Sequence, residues 1–474
     1  MKNSYKTFNL GDLAEIKAGG DKPREFSTFQ SSEFLIPIYA NGETNLGLQG
    51  YTNKAKVKVP AITVSARGTI GFTVLRKFPF FPIVRLLSVI PNEKLLNVTY
   101  LYYYFRLNRP TGIGSSQSQL IAPELSKYKI AVPNIIYQQK IASILSALDD
   151  KIELNHKINA ELEAMVKTLY DYWFVQFEFP ISDTEALEVP DKKPYKSSGG
   201  KMVYNETLKR EIPEGWVLKR LHEIIEVKDG THDSPKYIDE NGYPLVTSKN
   251  LKKTGIDFRE TNKISKIDFD VVNQRSKVDT GDILFSMIGS IGTIYKVEET
   301  VIDFAIKNVA LFKTSQYLEL KNFIYQYLHS YDMQRYLPNV ISGSIQKFVG
   351  LGSLRNIPIL FDLDIINLFN KESESLFEKK TNIIQQNQEL AQLRDWLLPM
   401  LMNGQVSVED VQDEVLAMVA EPVEDYTKTV NLNKEKSIED RFQLWLSNQK
   451  LAARGGINET VLREIFDVMD DEDK

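Results

Sequence analysis

Residues 145–173 read LSALDDKIELNHKINAELEAMVKTLYDYW, and a seven-residue repeat runs through this stretch. Its positions are Leu145, Leu148, Ile152, Asn155, Asn159, Leu162, Val166, Leu169 and Trp173. An apolar repeat of this period is typical of a coiled-coil seam rather than of a globular surface helix. Asparagine on such a seam lowers stability but fixes register and partner. The stretch therefore predicts a long helix that pairs with another helix, and packing on its own domain alone is the alternative.

A second stretch near the C-terminal end has the same period, with Phe369, Leu376, Ile383, Leu390 and Leu397 spaced seven residues apart. We predict two long spacer helices, over 136–178 and 361–402, that form an antiparallel coiled coil. We expect their seams to pack against each other and also to dock helices of a partner protein. The side chains assigned to this role are Leu145, Leu148, Ile152, Asn155, Asn159, Leu162, Val166, Leu169, Leu376, Ile383, Asn387, Leu390 and Leu397.

The two helices belong to a larger internal repeat. Four short patterns recur in the same order: 13–16 with 221–224, 65–71 with 286–292, 114–117 with 343–346, and 159–162 with 387–390. Any one match is weak, but four in one order indicate a duplicated unit with loop insertions in its second copy. We therefore predict a pseudo-two-fold internal repeat.

The segment before each helix has the pattern of an α+β domain, because short β-rich runs alternate with Gly, Pro and Asn. The pattern Ser-x-x-Gly-x-Ile-Gly, at 65–71 and 286–292, predicts a strand, a tight glycine turn and another strand. A plain hairpin turn and a loop that faces phosphate or base are equally good interpretations of it. The predicted division is a domain over 1–135, a helix over 136–178, a linker over 179–204, a second domain over 205–360, a helix over 361–402, and an acidic extension over 403–474. In that extension, 437–454 and 458–469 are plausible helices.

The net charge of −5 is unevenly distributed along the chain. Residues 1–135 contain 17 Lys and Arg against 8 Asp and Glu, a balance of +9. Residues 403–474 contain 8 against 17, and residues 205–360 are near neutral with 21 against 20. A basic module of this size is typical of proteins that contact nucleic-acid phosphates, and a basic surface without that role is the alternative.

Several classes of protein are disfavoured by what the sequence lacks. It has no cysteine, which excludes disulfides and thiolate metal sites and fits a cytoplasmic protein. It has no Gly-x-x-x-x-Gly-Lys-[Ser/Thr] loop and no His-Glu-x-x-His, and its 4 histidines are scattered. No apolar run approaches the ~20 residues of a membrane span, and no secretory signal is evident.

The order of domain, helix, domain and helix resembles the specificity subunit of type I restriction–modification systems. The resemblance rests on Pro-Glu-Gly-Trp at 213–216, on Gly-Ser-x-Gln at 114–117 and 343–346, and on the run 133–174. Within that run, Gln-Gln-Lys-Ile at 138–141 and Leu-Asp-Asp-Lys-Ile at 148–152 are especially similar to the family's first helical region. The resemblance covers roughly 8–405, although no Gln-Gln-Lys-Ile precedes Leu376 in the second helix.

The resemblance implies a sequence-specific DNA-binding subunit, without catalytic activity of its own, that reads a bipartite asymmetric target. It implies docking of two methyltransferase subunits and, through them, of a motor–endonuclease subunit. Those partners are expected to use S-adenosylmethionine, ATP and magnesium, while this chain binds no cofactor or metal. The two domains are then target-recognition domains, and the helices set the distance between the half-sites.

Base edges are recognised by polar side chains, whereas Lys and Arg also contact phosphates. On that basis the candidate DNA-binding residues of the first domain are Lys22, Arg24, Asn41, Arg67, Ser115, Gln117 and Gln119. Those of the second domain are Lys228, Thr231, His232, Lys249, Asn250, Ser344, Gln346 and Lys347. For each of them a plain surface role is the alternative.

Two other interpretations of the whole chain stay open. A fused restriction enzyme would carry its own nuclease or methyltransferase motif, and none is evident. A coiled-coil scaffold without a DNA role would leave the basic first domain and the paired glycine-containing loops unexplained.

Overall fold

The computed structural model describes residues 5–111, 119–181, 193–239, 241–252, 255–299, 301–344 and 346–420. The chain forms two compact units, one from residues 1–147 with the segment that begins at Leu398, and one from residues 148–397. Each unit contains one of the two predicted α+β domains. The predicted domain bounds themselves stay a prediction.

The first unit is built on a four-stranded sheet of order β2-β8-β5-β6 and a three-stranded sheet of order β4-β3-β7. Strands β3 and β7 are parallel, and the other pairs are antiparallel. Strand β1 pairs with β9 at the two ends of the domain. The elements are β1 (Lys6–Asn9), α1 (Leu10–Leu13), β2 (Ala14–Ala18), β3 (Ile36–Tyr39), β4 (Leu48–Thr52), β5 (Ala61–Val64), β6 (Thr73–Arg76), β7 (Phe81–Pro82), β8 (Leu87–Pro91), α2 (Val98–Leu107), α3 (Ala122–Ser126) and β9 (Lys129–Val132).

Helix α4 (Ile135–Tyr170) follows and contributes to both units. Helix α2 shows why these segments fold as they do. Asn97 caps it, because its side chain accepts the Tyr100 N–H at 2.9 Å. Its apolar face buries Leu101 and Phe105 against the sheet.

The second unit repeats this topology, with a four-stranded sheet of order β15-β24-β21-β22 and a second sheet of order β16-β20-β17-β23. Strands β17 and β23 are parallel, as β3 and β7 are. Its elements are β10 (Pro180–Ile181), β11 (Lys193–Pro194), β12 (Met202–Asn205), β13 (Arg210–Pro213), β14 (Val217–Arg220), β15 (Val227–Asp229), β16 (Tyr237–Ile238), β17 (Tyr243–Thr247), β18 (Leu251–Lys252), β19 (Gly255–Ile256), β20 (Asn262–Ile264), α5 (Lys266–Ser276), β21 (Ile283–Ser286), β22 (Ile294–Lys296), β23 (Ala305–Lys307), β24 (Val309–Phe312), α6 (Lys321–His329), α7 (Tyr331–Val340), β25 (Ile341–Ser342), β26 (Phe348–Val349), α8 (Leu351–Arg355), β27 (Pro358–Phe361) and α9 (Leu363–Met402). The chain therefore contains two mixed α/β domains in tandem, as predicted.

The two copies differ by an inserted helix. In the second unit α5 lies between β20 and β21, whereas the corresponding segment of the first unit, between β4 and β5, contains no helix. This insertion accounts for most of the growth in spacing between the first and second repeated patterns, because it lies between them; the later growth arises after the second glycine turn.

Helices α4 and α9 run antiparallel where they meet in the second unit. Asp149 bonds Arg394 at 2.7 Å, Asn155 bonds Asn387 at 2.8 Å, and Glu163 pairs with Lys380 at 2.7 Å. The residue number rises along one helix as it falls along the other. The regular part of α4 ends at Tyr170, and a wider helical turn continues to Val175.

Part of the predicted linker is folded. The ring of Phe179 stacks on Tyr195 at 4.6 Å and on Trp216 at 5.2 Å between centroids. Strands β12 and β13 then form a hairpin that leads into the second domain. Phe179 and Trp216 are buried and Tyr195 is partly buried, so aromatic packing stabilises a segment whose Gly, Pro and Ser content predicted a linker. Residues 182–192 of the linker lie outside the described part.

One further helix, α10 (Val408–Ala420), packs in the first unit. Val408 and Val415 are buried, and Glu409 pairs with Lys140 at 2.7 Å. The sequence reading did not predict this helix, and the helices predicted at 437–454 and 458–469 lie outside the described residues. Among the described helices, none is long and apolar enough to cross a lipid bilayer.

Candidate nucleic-acid interface

Each unit carries a glycine turn, defined here as residues 65–71 in the first and 286–292 in the second. The first turn joins β5 to β6, and the second joins β21 to β22. In the first, the Gly71 N–H donates to the Ser65 carbonyl at 2.8 Å, and in the second Gly292 donates to Ser286 at 3.1 Å. The predicted arrangement of strand, turn and strand is confirmed in both copies.

The glycines are required at these positions because their φ angles are positive. The angle is +71° at Gly68 and +76° at Gly71, with +74° at Gly289 and +88° at Gly292. A Cβ on Gly71 would lie 2.1 Å from the Pro110 carbonyl oxygen, whereas a Cβ on Gly68 or Gly289 would meet no described atom within 4 Å. The outer side of each turn therefore offers bare backbone that a ligand can approach closely.

In both units the glycine turn is hydrogen-bonded to a residue three positions after the Gly-Ser loop, the pattern at 114–117 or 343–346. Residues 114–117 themselves lie outside the described part of the chain. In the first unit Leu120 N–H donates to the Ala66 carbonyl at 2.9 Å. In the second, Val349 N–H donates to the Met287 carbonyl at 2.9 Å. The turn and the segment after the Gly-Ser loop thus form one surface in each unit, joined by equivalent backbone hydrogen bonds.

In the first unit this surface carries a rigid arginine. Arg67 donates from Nε and Nη2 to Gln119 Oε1, at 3.0 and 2.8 Å. The guanidinium is therefore oriented by Gln119 while the side chain stays exposed. Two other candidates here, Ser115 and Gln117, lie outside the described residues.

The remaining candidates of the first unit differ in whether their side chains are hydrogen-bonded within the protein or exposed. Asn41 is committed to the fold, because its Oδ1 accepts the Ala66 N–H at 2.7 Å and its Nδ2 donates to the Val84 carbonyl at 2.7 Å. Lys22 and Arg24 are exposed, and Lys22 Nζ lies 3.5 Å from the centre of the Phe26 ring. These two cations have the exposure that phosphate contacts require.

In the second unit the Gly-Ser loop is the tip of a hairpin between β25 and β26. Gly343 has a φ of +97°, and a Cβ there would lie 2.2 Å from the Gln346 carbonyl oxygen. Ser344, Gln346 and Lys347 are all exposed at this tip. Their side chains have the placement that contact with DNA would require.

Another group of candidates in the second unit has structural partners. Asn250 is 1% exposed, and its Oδ1 accepts from the N–H and the hydroxyl of Thr247 at 2.9 and 2.7 Å. It holds its own loop and does not face outward in this conformation. Thr231 is buried and accepts the Asp233 N–H, Lys228 pairs with Glu226 at 3.0 Å, and Lys249 is exposed.

His232 has both ring nitrogens engaged. They lie 2.8 Å from Asn308 Oδ1 and 2.8 Å from Asp229 Oδ2, and the buried Asp229 carboxylate also bonds Arg275 of α5. Both ring nitrogens are thus engaged with the protein, while the side chain is 60% exposed, and a contact with DNA stays a prediction. The inserted helix α5 thereby helps to fix the loop that carries His232.

The sequence reading missed three groups that shape these surfaces. Arg109 donates to the carbonyls of Ile70 and Thr69 at 2.8 and 3.1 Å. Arg76 donates to the Leu46 carbonyl at 2.6 Å, and burial lowers the pKa of its guanidinium to about 10. Asn308 adopts a φ of +52° beside His232. No motif marks any of them, since each acts on residues distant in sequence.

The predicted partner-binding side chains of the helix seams are buried or half-buried. Asn155 is 2% exposed and Asn387 is 9% exposed. Within this chain the seam side chains are therefore at least partly covered, and their role in docking a partner stays a prediction. Among the described residues, no group of three or more His, Asp or Glu side chains is arranged to hold a metal ion.

Comparison with known proteins shows which family the chain is similar to. The model of the type I restriction modification DNA specificity domain matches residues 2–164 and 213–361. The type I restriction enzyme MjaIX specificity subunit of Methanocaldococcus jannaschii is 27% identical over 366 residues, which cover 74% of this chain and 78% of that protein. The HindI specificity subunit of Haemophilus influenzae is 25% identical over 368 residues, covering 67% of this chain and 79% of that protein.

A solved S subunit of a type I restriction–modification system from M. genitalium is similar with a TM-score of 0.49 and 16% identity, over 85% of this chain and 97% of that one. The family model matches more than half of the chain and takes in both copies of the repeat. The family that the sequence motifs resemble is thus confirmed, and the chain belongs to the type I restriction–modification DNA specificity family.

Proposed function

We propose that this chain is the non-catalytic subunit that reads a bipartite asymmetric DNA target for a type I restriction–modification complex. Each α/β domain reads one half-site, and because the two domains differ in sequence, the two half-sites differ. The observation that carries this proposal is the equivalent backbone hydrogen bond in both units between the glycine turn and the segment that follows the Gly-Ser loop, made by Leu120 in the first and Val349 in the second. A duplicated surface of this kind suits a target with two separated halves.

The exposed and half-buried candidates divide by the DNA contacts that their side chains suit. Lys22, Arg24, Lys249 and Lys347 suit phosphate oxygens, whereas Arg67, Gln119, Ser344 and Gln346 suit base edges. Arg67 has a pre-oriented guanidinium, the group best suited to the O6 and N7 atoms of guanine. Ser115 and Gln117 stay candidates from the sequence.

We further propose that α4 and α9 act as the ruler between the half-sites, as an antiparallel coiled coil. The hydrogen bond between the two seam asparagines and the ion pairs at Asp149 and Glu163 support this pairing. A helix of about 40 residues is about 60 Å long, which exceeds one DNA turn of about 34–36 Å. The approximate two-fold axis and the domain bounds 1–135 and 205–360 remain part of this proposal.

The partners belong to the proposal as well. We infer that two methyltransferase subunits dock on the chain, and that a motor–endonuclease subunit joins through them. Those subunits would use S-adenosylmethionine, ATP and magnesium, while this chain supplies the reading of the sequence. Double-stranded DNA is the ligand of the chain itself.

The test is to co-express the chain with its methyltransferase subunit and to map methylated positions across the host genome by single-molecule sequencing. The expected result is one split motif. Replacement of residues 205–360 by the equivalent domain of a different family member should change one half of that motif and leave the other half intact.

A control within the same domain is Glu206→Gln, which removes only the exposed ion pair with Lys209 beside the hairpin of β12 and β13 and should leave both halves of the motif unchanged. Methylation without any motif, or a motif that is indifferent to the domain exchange, would show that the second copy does not read DNA. The repeat would then serve assembly alone.

A further inference from the structure

Arg109 is placed to brace the first glycine turn. It follows the end of α2 directly, and its guanidinium donates from Nε to the Ile70 carbonyl at 2.8 Å and from Nη2 to the Thr69 carbonyl at 3.1 Å. Its stem also lies against the turn, because a Cβ on Gly71 would be 2.8 Å from Arg109 Cγ. Two carbonyls of the turn are thus held by one rigid fork of donors.

The same guanidinium reaches a second loop. Its Nη2 lies 3.6 Å from the Glu43 carboxylate, in the loop between β3 and β4. An unpaired carboxylate on this surface would repel DNA phosphates, and Arg109 neutralises it. Arg109 therefore links the glycine turn to the loop between β3 and β4. Its positive charge offsets the negative charge of Glu43, which would otherwise repel phosphates.

The second unit braces its equivalent turn by other means. There the Ser286 hydroxyl donates to the Ser290 carbonyl and accepts the Thr293 N–H at 2.8 Å, so the turn is tied internally. In the first unit the Ser65 hydroxyl accepts the Gly42 N–H instead, at 3.3 Å. Beside Gly292 the neighbouring side chain is the apolar Leu337, which offers no donor to a carbonyl. The glycine turn is thus held in place by Arg109 in the first unit and by the Ser286 hydroxyl in the second.

Because Arg109 is half exposed, we expect its contacts to contribute little to the stability of the domain. The side chain of Arg109 is 50% exposed and that of Glu43 is 52% exposed. Exposed ion pairs contribute little to stability. Loss of Arg109 should therefore leave the domain folded but let the turn move, and the turn carries Arg67.

We propose that Arg109 is a positioning residue for sequence reading in the first half-site. It holds the glycine turn so that Arg67, oriented by Gln119, meets one fixed base position. This inference rests on the proposed function and extends it, since it assigns control of specificity to a residue that makes no base contact itself.

The experiment maps methylation in hosts that express the complete methyltransferase complex with Arg109→Ala, Arg109→Lys or Ser286→Ala. A base pair that is read directly is normally discriminated by roughly 5- to 100-fold. For Arg109→Ala we expect most of that discrimination to be lost at one position of the first half-site, with the second half-site unchanged. Ser286→Ala should show the reverse pattern.

The lysine variant separates positioning from phosphate contact. A single ammonium cannot reproduce the planar fork that holds both carbonyls, so Arg109→Lys should also relax the first half-site. If Arg109→Lys keeps full discrimination while Arg109→Ala only lowers methylation evenly at all sites, the residue is a phosphate contact and the inference is overturned.

The remaining outcomes are also decisive. Relaxation of both half-sites by Arg109→Ala would indicate a general loss of structure and would contradict the inference, as would wild-type discrimination in both variants. If Arg109→Ala does not fold, as judged by its thermal transition, Arg109→Lys carries the test alone. If the unmodified complex yields no split motif, the proposed function fails, and that result is distinct from failure of this inference.

Discussion

Asn155 donates a hydrogen bond from its Nδ2 to Oδ1 of Asn387 at 2.8 Å, between α4 and α9. Both side chains are buried, and the same Nδ2 also lies 2.7 Å from Gln386 Oε1. A buried amide that slipped out of this register would lose its partner and remain desolvated. The pair therefore fixes which residues of the two helices lie opposite each other.

This relationship predicts a non-additive pair of variants. Asn155→Leu and Asn387→Leu should each lower the free energy of unfolding by about 1–3 kcal/mol, because the remaining asparagine is left buried with fewer hydrogen bonds. The double variant Asn155→Leu with Asn387→Leu should recover that loss or exceed the original stability, since apolar seam residues are favoured where register is not at stake. Urea unfolding of the four proteins of the cycle measures both effects. Additive losses would show that the two amides are not coupled.

A second prediction concerns Lys313, which is buried in the second unit. Its Nζ bonds Asp282 Oδ2 at 2.6 Å and Asp279 Oδ2 at 2.7 Å, and Asp282 is fully buried. Lys313→Met would leave a buried carboxylate without its cation, which costs about 3–5 kcal/mol. The matched control is Lys277→Met, whose ammonium is exposed and pairs with the same Asp279. Thermal unfolding should show a large decrease for the first variant and little change for the second.

The same site predicts an acid dependence. Burial raises the pKa of Asp279, but the hydrogen bonds from Lys313 and Lys277 outweigh it, so the pKa is lowered overall. A carboxyl whose pKa is lower in the folded state than in the unfolded state stabilises the fold. This stabilisation is fully present above the unfolded-state pKa of about 3.9, and it is lost as the pH falls through the folded-state pKa. Wild-type stability should therefore decrease as the pH falls below about 4. Lys313→Met should flatten this part of the profile, and an unchanged profile would contradict the assignment.

The packing of α10 predicts which part of the C-terminal extension stabilises the first unit. Val408 and Val415 are buried there, so Val408→Ala and Val415→Ala should each lower the free energy of unfolding by about 1–2 kcal/mol through lost apolar burial. Glu409→Gln removes only an exposed ion pair with Lys140 and should have little effect. Denaturant unfolding compares the three variants. Neutral valine variants would mean that α10 is not part of the folded unit.

A further prediction separates phosphate contacts from base contacts. Lys22→Ala and Arg24→Ala should weaken DNA binding evenly across sequences and lower the salt dependence by about one counterion each. Gln346→Ala should instead relax specificity at one position of the second half-site. Titration of the assembled complex with cognate and mismatched duplexes at several salt concentrations distinguishes these effects. A salt slope unchanged in both cation variants would remove these residues from the interface.

The sequence by itself determined the features that depend on local pattern. The seven-residue period of 145–173 predicted a long helix, and the repeated Ser-x-x-Gly-x-Ile-Gly predicted two glycine turns between strands. Both follow from side-chain periodicity and from the positive φ that glycine tolerates, and these are properties of residues close together along the chain. The +9 balance of residues 1–135 is likewise a sum over a segment and needs no coordinates.

Only the tertiary structure decided which of those residues are free to act. Asn250 and Arg67 are both polar residues in predicted loops, yet Asn250 is held by Thr247 inside its own loop, while Arg67 is exposed and oriented by Gln119. Arg109 has no sequence pattern, and its role exists because folding brings the end of α2 beside the turn at Thr69 and Ile70. Hydrogen-bond partners distant along the chain are set by packing, and a linear pattern contains no record of them.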